Sequence, residues 1–324
     1  MDENSTPTGH EQTAGSAPGR LLTAVDLGSN SFYLMQARVV GDRLSVVRGM
    51  RKSVRLVAGV DSAGALDPET LARALSCLQQ FGSICRAVPA DTIRVVATSA
   101  VRRLAQPQEF LQQASHALGQ AVEIIDGQTE GELIWRGANA ALPASAERRL
   151  MIDVGGGSTE CIVGREMQPL HVASVDIGCI VSCRQYFDDG CITAGRWQRA
   201  RAGLRDQITP HRQALSDHGW DKVWATSGAA RIIGNTVQAL GLTDNGISAA
   251  AIDALRQRLL EAGHVSRIHL PGLDRSGAQL AAGTVAVLEA LFQTLGIEHM
   301  QLCESAMREG IIRELALRQA SGSA

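Results

Sequence analysis

Two stretches of the chain share one pattern of apolar and polar positions. In 22–40 and again in 150–164, an apolar run ends in an aspartate, a turn of small residues follows, and a second apolar run begins. Apolar runs of this kind, interrupted by glycine, favour two strands joined by a tight turn over a helix. A third strand-like run follows each copy, at 44–47 and 171–175. The sequence therefore predicts two related halves, each opening with a three-stranded meander.

Outside the meanders, the pattern alternates between helix and strand. Asp67-Pro68-Glu69 predicts a helix start, because a capping side chain precedes proline at the first helical position, and apolar spacing continues this helix to about Val88. Further strands are predicted at 92–98, 121–126 and 222–225. Further helices are predicted from 127 onward and at 107–118, 193–215, 248–261, 274–295 and 311–319. This order predicts an α/β protein with mixed sheets and helices packed on them.

The two turns are candidate anion sites. Small residues at 28–31 and 155–158 can direct backbone N–H groups to one concave side, where phosphate oxygens fit. Asp153 ends one strand and Glu160 begins the next, so both carboxylates can project toward an occupant of the turn. They would repel a phosphate unless a divalent cation such as Mg2+ lies between them. A lone glycine run is more often a plain hairpin, but the second copy favours two turns that clamp a phosphate chain.

Composition narrows the class of protein. The chain has 324 residues, 45% apolar and 20% charged, and a net charge of -2, which favours two ordinary domains and argues against a general binder of nucleic acid or membranes. Seven scattered cysteines without metal-binding spacing favour free thiols in a reducing compartment. The polar segment 1–20 is predicted to be disordered, without a signal peptide or anchor, and no apolar run approaches the length of a membrane span. We therefore expect a cytoplasmic protein.

Two segments leave alternatives open at this point. Glu130 and Glu132 lie near a predicted helix start, where acidic residues are most often surface charges that interact favourably with the helix dipole. The turn at 226–231 opens another helix. It can seat a phosphate or a nucleotide, or it can serve a close helix-strand crossing, and the residues favour neither.

Six short motifs occur in order over 21–313. They are Asp26-Leu-Gly-Ser-Asn-Ser31, Thr98-Ser-Ala-Val-Arg102, Glu123-Ile-Ile-Asp-Gly-Gln-Thr-Glu130, Asp153-Val-Gly-Gly-Gly-Ser-Thr-Glu160, Ser227-Gly-Ala-Ala-Arg231 and Met307-Arg-Glu-Gly310. With these motifs the chain resembles the Ppx/GppA family of exopolyphosphatases and guanosine pentaphosphate phosphatases, which share the actin-like fold of sugar kinases and Hsp70. Each motif alone is weak, and their order makes the resemblance specific.

The resemblance implies a fold and a domain division. The expected fold is α/β, with two actin-like (RNase H-like) domains, each a mixed five-stranded sheet flanked by helices, and a cleft between them. After the tail at 1–20, domain I is expected at 21–127 together with the C-terminal helix at 308–320. Domain II is expected at 128–307.

The resemblance also implies hydrolysis of a terminal phosphoanhydride with Mg2+ or Mn2+. Glu130 matches the family's catalytic glutamate, which polarises the attacking water, and Arg102 matches an arginine that offsets charge during transfer. Asp153 and Glu160 match carboxylates that hold the metal or assist the base, and Asp26 adds a metal ligand from the other turn. The implied phosphate-binding residues are Gly28, Ser29, Asn30, Ser31, Gly155, Gly156, Gly157, Ser158 and Thr159.

One position departs from the family pattern. The family commonly has Glu-Ala-Arg where this chain has Glu130-Gly131-Glu132. A Glu132 carboxylate inside the cleft would raise the pKa of Glu130 and disfavour an anionic substrate. We expect Glu132 to face outward.

The expected substrate is inorganic polyphosphate or guanosine pentaphosphate (pppGpp), with no nucleic-acid or membrane partner and with homodimer formation. Two alternatives stay open. One is an ATP-dependent kinase on the same fold, and the other, motivated by Glu132, is a non-catalytic sensor of polyphosphate or guanosine alarmones.

Overall fold

The computed structural model describes residues 19–322, so the predicted tail at 1–20 lies outside the described residues except for its last two positions. The strands are β1 (Leu21–Leu27), β2 (Ser31–Val40), β3 (Arg43–Ser53), β4 (Ile93–Ala97), β5 (Glu123–Ile124), β6 (Arg148–Val154), β7 (Thr159–Arg165), β8 (Gln168–Val175), β9 (Lys222–Ala225), β10 (Ile247–Ser248) and β11 (His299–Leu302). The helices are α1 (Pro68–Cys85), α2 (Ser99–Arg102), α3 (Pro107–Leu118), α4 (Gly127–Asn139), α5 (Cys179–Tyr186), α6 (Ala194–His218), α7 (Gly228–Ala239), α8 (Ala249–Ala262), α9 (Arg275–Leu295) and α10 (Met307–Gly322).

The two halves repeat one sheet topology. The first sheet has the order β3-β2-β1-β4-β5, and the second has the order β10-β11-β9-β6-β7-β8. In each sheet an antiparallel meander is extended, on the far side of its first strand, by two parallel strands, and in the second sheet the antiparallel β10 follows them. The turns β1–β2 and β6–β7 therefore occupy equivalent positions. The predicted α/β fold with two mixed sheets and flanking helices is confirmed, and the short β10 gives the second sheet a sixth strand.

Several element boundaries differ from the prediction. The third strand of the first meander, predicted at 44–47, is the eleven-residue β3. Its exposed edge position removes the apolar alternation that marks a half-buried strand. Helix α10 begins at Met307, earlier than the 311 predicted from the apolar pattern and one residue before the 308 that the resemblance implied. The eight-residue α5 was not predicted.

Three apolar cores hold the molecule together. One packs helices α1 and α3 against the first sheet, and a second surrounds α9 beneath the second sheet. The third lies between the sheets and includes Trp135 of α4, Met151 of β6 and Ile311 of α10. Helix α4 contacts β7 and β8, while α10 contacts β1, β2 and β4, so this pair of helices joins the two halves. The predicted domain limits stay a prediction.

Close packing of α4 on α10 depends on glycine. A Cβ atom at Gly137 would clash with Ala306 O, and one at Gly310 would clash with Leu133 O. Such contacts leave no room for a side chain between the two helices.

One helix is long and apolar enough to span a membrane, although no such segment was expected from the sequence. Among the described residues, α9 alone has the length and apolar content of a span, although it is mostly buried inside the second half. These properties are also typical of a core helix.

Candidate active site

The two predicted phosphate turns lie against each other. A Cβ atom at Gly156 would lie 2.9 Å from Ser29 Cβ, and one at Gly157 would lie 2.5 Å from Ser99 Oγ. The hydroxyl oxygens of Ser29 and Ser99 are 3.2 Å apart. Neither glycine has a positive φ. Glycine is therefore required at both positions because the two halves approach closely, rather than because the backbone is left-handed.

The second turn presents free amide groups. Backbone N–H groups at the start of α5 donate to Gly155 O at 2.9 Å and to Gly156 O at 3.0 Å. In a trans peptide the following N–H points away from the C=O, and the described residues contain no cis peptide. The amides of Gly156 and Gly157 therefore point away from α5. Within residues 19–322 they donate to no backbone carbonyl.

The first turn is built in the same way. Val57 N donates to Ser29 O at 3.0 Å, and Arg55 N donates to Asn30 O at 2.8 Å. The segment that contains Arg55 and Val57 thus plays the role that the start of α5 plays in the second half. By the same peptide geometry, the Asn30 amide points away from this segment. Both turns are suited to donate N–H groups to an anion between them.

Two aspartates lie at the floor of the cleft. Asp26 Oδ1 is buried and has no hydrogen-bond partner in the described part of the chain. Burial raises the pKa of Asp26 to about 7, Arg308 opposes this rise, and the neighbouring Asp153 adds to it. Thr226 Oγ1 donates to Asp153 Oδ2 at 2.7 Å, and burial raises the pKa of Asp153 above its usual value. Each half therefore contributes one carboxylate to the same small volume.

Glu130 lies beside this pair. Asp126 Oδ1 accepts from Thr129 N at 2.8 Å and caps α4, so Glu130 falls in the first turn of that helix, with only 8% of its surface exposed. Arg102 Nη1 donates to Glu130 Oε2 at 3.1 Å and to Ile125 O at 2.6 Å. Burial raises the pKa of Glu130 to about 7, while Arg102 opposes the rise. This environment suits a carboxylate that accepts a proton near neutral pH.

Glu160 completes the acidic group. It faces Asp153 across the β6–β7 pair, is almost fully buried, and accepts a 2.8 Å hydrogen bond from Ser174 Oγ. The pKa of Glu160 lies well above its usual value, mainly because the side chain is buried. The nearby Glu130 and Asp153 carboxylates raise it further. The structure thus brings the predicted catalytic and metal-binding side chains together.

The side chains of Glu132 and Thr159 are both engaged away from the phosphate turns. Glu132 is exposed and accepts a 2.8 Å hydrogen bond from Gln128 Nε2, so it faces outward as expected. Thr159, predicted to bind phosphate, is fully buried, and its hydroxyl donates to Ile177 O at 2.7 Å. Its side chain is therefore engaged away from the turn.

Sequence reasoning missed several polar side chains at the site. Arg308 lies 4.2 Å from the centre of the Tyr33 ring, and its charge opposes the burial that raises the pKa of both cleft aspartates. Arg51 lies 5.6 Å from the same ring and donates to Ser31 Oγ at 3.2 Å. The motif at 307–310 was the available signal for Arg308, but only the fold shows that α10 carries it to the cleft.

The site fits a hard divalent cation. The Asp153 carboxylate lies close enough to Asp26 to raise its pKa, and the unpartnered Asp26 Oδ1 is an oxygen ligand of the kind that Mg2+ prefers. In the described range no three His, Cys, Asp or Glu side chains converge closely enough to hold a metal alone. Mg2+ normally binds through one or two carboxylates and completes its shell with water and substrate phosphates, which agrees with this arrangement.

Fold and site together define a class of protein. Two halves with the same sheet topology enclose a cleft, and each half supplies a turn with free amides and a partly buried aspartate, which is the arrangement of an actin-like phosphate-processing protein. A family model described as the Ppx/GppA phosphatase family matches residues 36–319. The chain belongs to this family, so its predicted membership and enzyme class, a phosphoanhydride hydrolase, are confirmed.

Individual relatives agree with this assignment. A Haemophilus influenzae protein described as a candidate exopolyphosphatase is 34% identical over 297 residues, covering 91% of each chain. The crystal structure of an exopolyphosphatase from Cytophaga hutchinsonii has a TM-score of 0.79 at 22% identity and covers 92% of this chain and 98% of that one. The Aquifex aeolicus PPX-GPPA enzyme has a TM-score of 0.74 at 19% identity, covering 91% and 99%. The two structures support the fold.

Proposed function

We propose that this protein is an exopolyphosphatase that hydrolyses the terminal phosphoanhydride of inorganic polyphosphate and releases orthophosphate. The observation that carries the proposal is the close approach of the two turns at Ser29, Gly156 and Gly157, beside the buried Glu130–Arg102 pair. The name of the Haemophilus influenzae relative, which aligns along most of both chains, supports the same substrate.

In this proposal Glu130 is the general base. It accepts a proton from water as the water oxygen attacks the terminal phosphorus, and the bond from that phosphorus to the bridging oxygen breaks. A pKa of about 7 keeps a useful fraction of Glu130 ionised at neutral pH without making the carboxylate a weak base. Arg102, bound to Glu130 and to Ile125 O, holds that carboxylate in place and adds positive charge.

The turns stabilise charge on the transferred phosphoryl group. Free amides at Gly156, Gly157 and Asn30 would donate to its oxygens, and preorganised donors of this kind provide much of the catalysis in phosphoryl transfer. Asp26 and Asp153 would hold Mg2+, with Glu160 nearby. Bound there, the ion would neutralise charge on the phosphate oxygens.

We also propose that the protein hydrolyses pppGpp to ppGpp in the same cleft, forms a homodimer and is located in the cytoplasm. The alternative of a non-catalytic sensor was motivated by Glu132. Glu132 does not favour that alternative, because its side chain is exposed and hydrogen-bonded to Gln128.

The direct test is orthophosphate release from long-chain polyphosphate, measured with Mg2+ and with EDTA. We expect release that requires the metal. Absence of release from polyphosphate and from pppGpp, combined with transfer from ATP to an added acceptor, would identify a kinase instead. Tight polyphosphate binding without any release would identify the sensor.

A further inference from the structure

We propose that Arg103 is a positioning residue through which the first half completes the phosphate turn of the second half. Arg103 follows α2 in the first half, whereas the turn at 155–158 belongs to the second half. The inference rests on the proposed function in one respect, namely that this turn holds a substrate phosphate.

The side chain of Arg103 crosses the cleft. Its Nη2 atom donates to Gly157 O at 3.0 Å, and the same atom lies 3.3 Å from Asp176 O and 3.2 Å from Asp176 Oδ1. Asp176 therefore holds the guanidinium group at the position from which it reaches the turn. The Asp176 side chain is itself 82% exposed, so its ion pair with Arg103 contributes little free energy of unfolding.

Arg103 supplies the hydrogen bond that α5 does not. The start of α5 holds the carbonyls of Gly155 and Gly156, while the carbonyl of Gly157 is held by Arg103. Because the 157–158 peptide is trans, fixing Gly157 O also fixes the direction of the Ser158 N–H. Within the described residues, that N–H donates to no backbone carbonyl and is available to an anion.

The donors to the turn come from different halves of the molecule. Helix α5 lies in the same half as the turn, whereas Arg103 belongs to the first half and reaches Gly157 beside the contacts that Ser29 and Ser99 make with the turn. The third amide of the turn is therefore oriented by the opposite half, so the phosphate site is complete only where the two halves meet.

The first test needs no substrate. The amide 15N chemical shift of a residue responds to hydrogen bonding at the preceding carbonyl, so Ser158 reports on Gly157 O. In transverse-relaxation-optimised spectra we expect Arg103→Ala to shift or broaden the Ser158 signal, and Arg103→Lys, which keeps one donor, to preserve it better. Arg86→Ala is the matched control, since Arg86 is an exposed arginine at the end of α1. An unchanged Ser158 signal in Arg103→Ala would overturn the inference.

The second test is kinetic. We expect Arg103→Ala to lower kcat/KM for polyphosphate by about 10- to 100-fold, somewhat less than the loss of a complete oxyanion donor, with the thermal midpoint close to that of the wild type. Arg103→Lys should recover part of the loss, Asp176→Asn should have a smaller effect, and Arg86→Ala should have none. Wild-type rates in Arg103→Ala would contradict a positioning role.

The two tests separate the two proposals. A wild-type protein that releases no phosphate from polyphosphate would refute the proposed function, and the Ser158 signal would still decide the role of Arg103. If Arg103→Ala fails to fold, Arg103→Lys and Asp176→Ala provide the same comparison through a weaker or misplaced donor.

Discussion

At the residue scale, the cleft holds acidic side chains in positions that oppose folding. Asp26, Asp153 and Glu160 all have a raised pKa, with burial as the main cause. Polar groups arranged for a ligand commonly reduce stability in the absence of that ligand. Sequence reasoning located these residues through the repeated turn motif. It could not separate Glu130 from Glu132 without the family resemblance, because burial of a first-turn glutamate depends on what packs over the helix.

Replacing Asp26 by Asn should stabilise the metal-free protein above neutral pH. The folded pKa of about 7 lies above the unfolded value of 3.8, so the contribution of Asp26 to stability is fully present below the unfolded value and is lost as pH rises through the folded value. In EDTA, the thermal midpoint of Asp26→Asn should exceed that of the wild type at pH 8, by about 2–4 °C per kcal/mol recovered, and by much less at pH 4. An equal gain at both pH values would contradict the assignment.

The same variant tests the metal site. Because a ligand that binds only the folded state stabilises it, Mg2+ should raise the thermal midpoint of the wild type at pH 8. The Mg2+-induced rise in thermal midpoint should be smaller for Asp26→Asn. An equal Mg2+ effect on the two proteins would remove Asp26 from the metal site.

At the element scale, local signals explain which boundaries were predictable. Helix α1 begins where its Asp67 cap and Pro68 predicted, and α3 ends at Leu118 before Gly119, which adopts the left-handed conformation. The predictions failed where tertiary contacts decide. Strand β3 is a charged edge whose partner is β2, and α5 is too short to show a helical repeat.

The α4–α10 crossing gives a prediction at this scale. Gly137→Ala places a methyl group against Ala306 O, so we expect a loss of about 1–3 kcal/mol despite the better helix propensity of alanine. Gly195 of α6 has open space at its Cβ position, so Gly195→Ala should be neutral or stabilise by up to about 1 kcal/mol. Urea unfolding of both variants checks the pair, and a neutral Gly137→Ala would show that the helices can separate at little cost.

At the scale of the whole molecule, α10 returns the end of the chain to the first sheet. It carries Arg308 to the cleft and fills the core between the sheets. Motif order in the sequence was sufficient to predict the architecture. The contacts of Arg103, Arg308 and Thr226 could not be predicted, because each joins segments that are distant in sequence and that meet only in the folded chain.

A chain that ends at residue 306 should not fold cooperatively. It lacks four side chains of the core between the sheets. Burial of each such side chain contributes about 1.5–3 kcal/mol to the free energy of unfolding, and the sum approaches the whole stability of a typical domain. These side chains are Met307, Ile311, Ile312 and Leu315. Thermal unfolding followed by circular dichroism checks this, with a chain ending at 322 as the control. A sharp transition in the shorter chain would show that α10 is dispensable.

In the proposed function the two turns and Glu130 form one hydrolytic site. Its most direct test is Mg2+-dependent orthophosphate release from long-chain polyphosphate by the wild type, Glu130→Gln and Glu132→Gln. We predict that Glu130→Gln lowers kcat by at least about 100-fold while polyphosphate binding persists, because a general base of this kind contributes 10²–10⁴-fold, and that Glu132→Gln keeps the wild-type rate. Release by Glu130→Gln at the wild-type rate would show that Glu130 is not the general base.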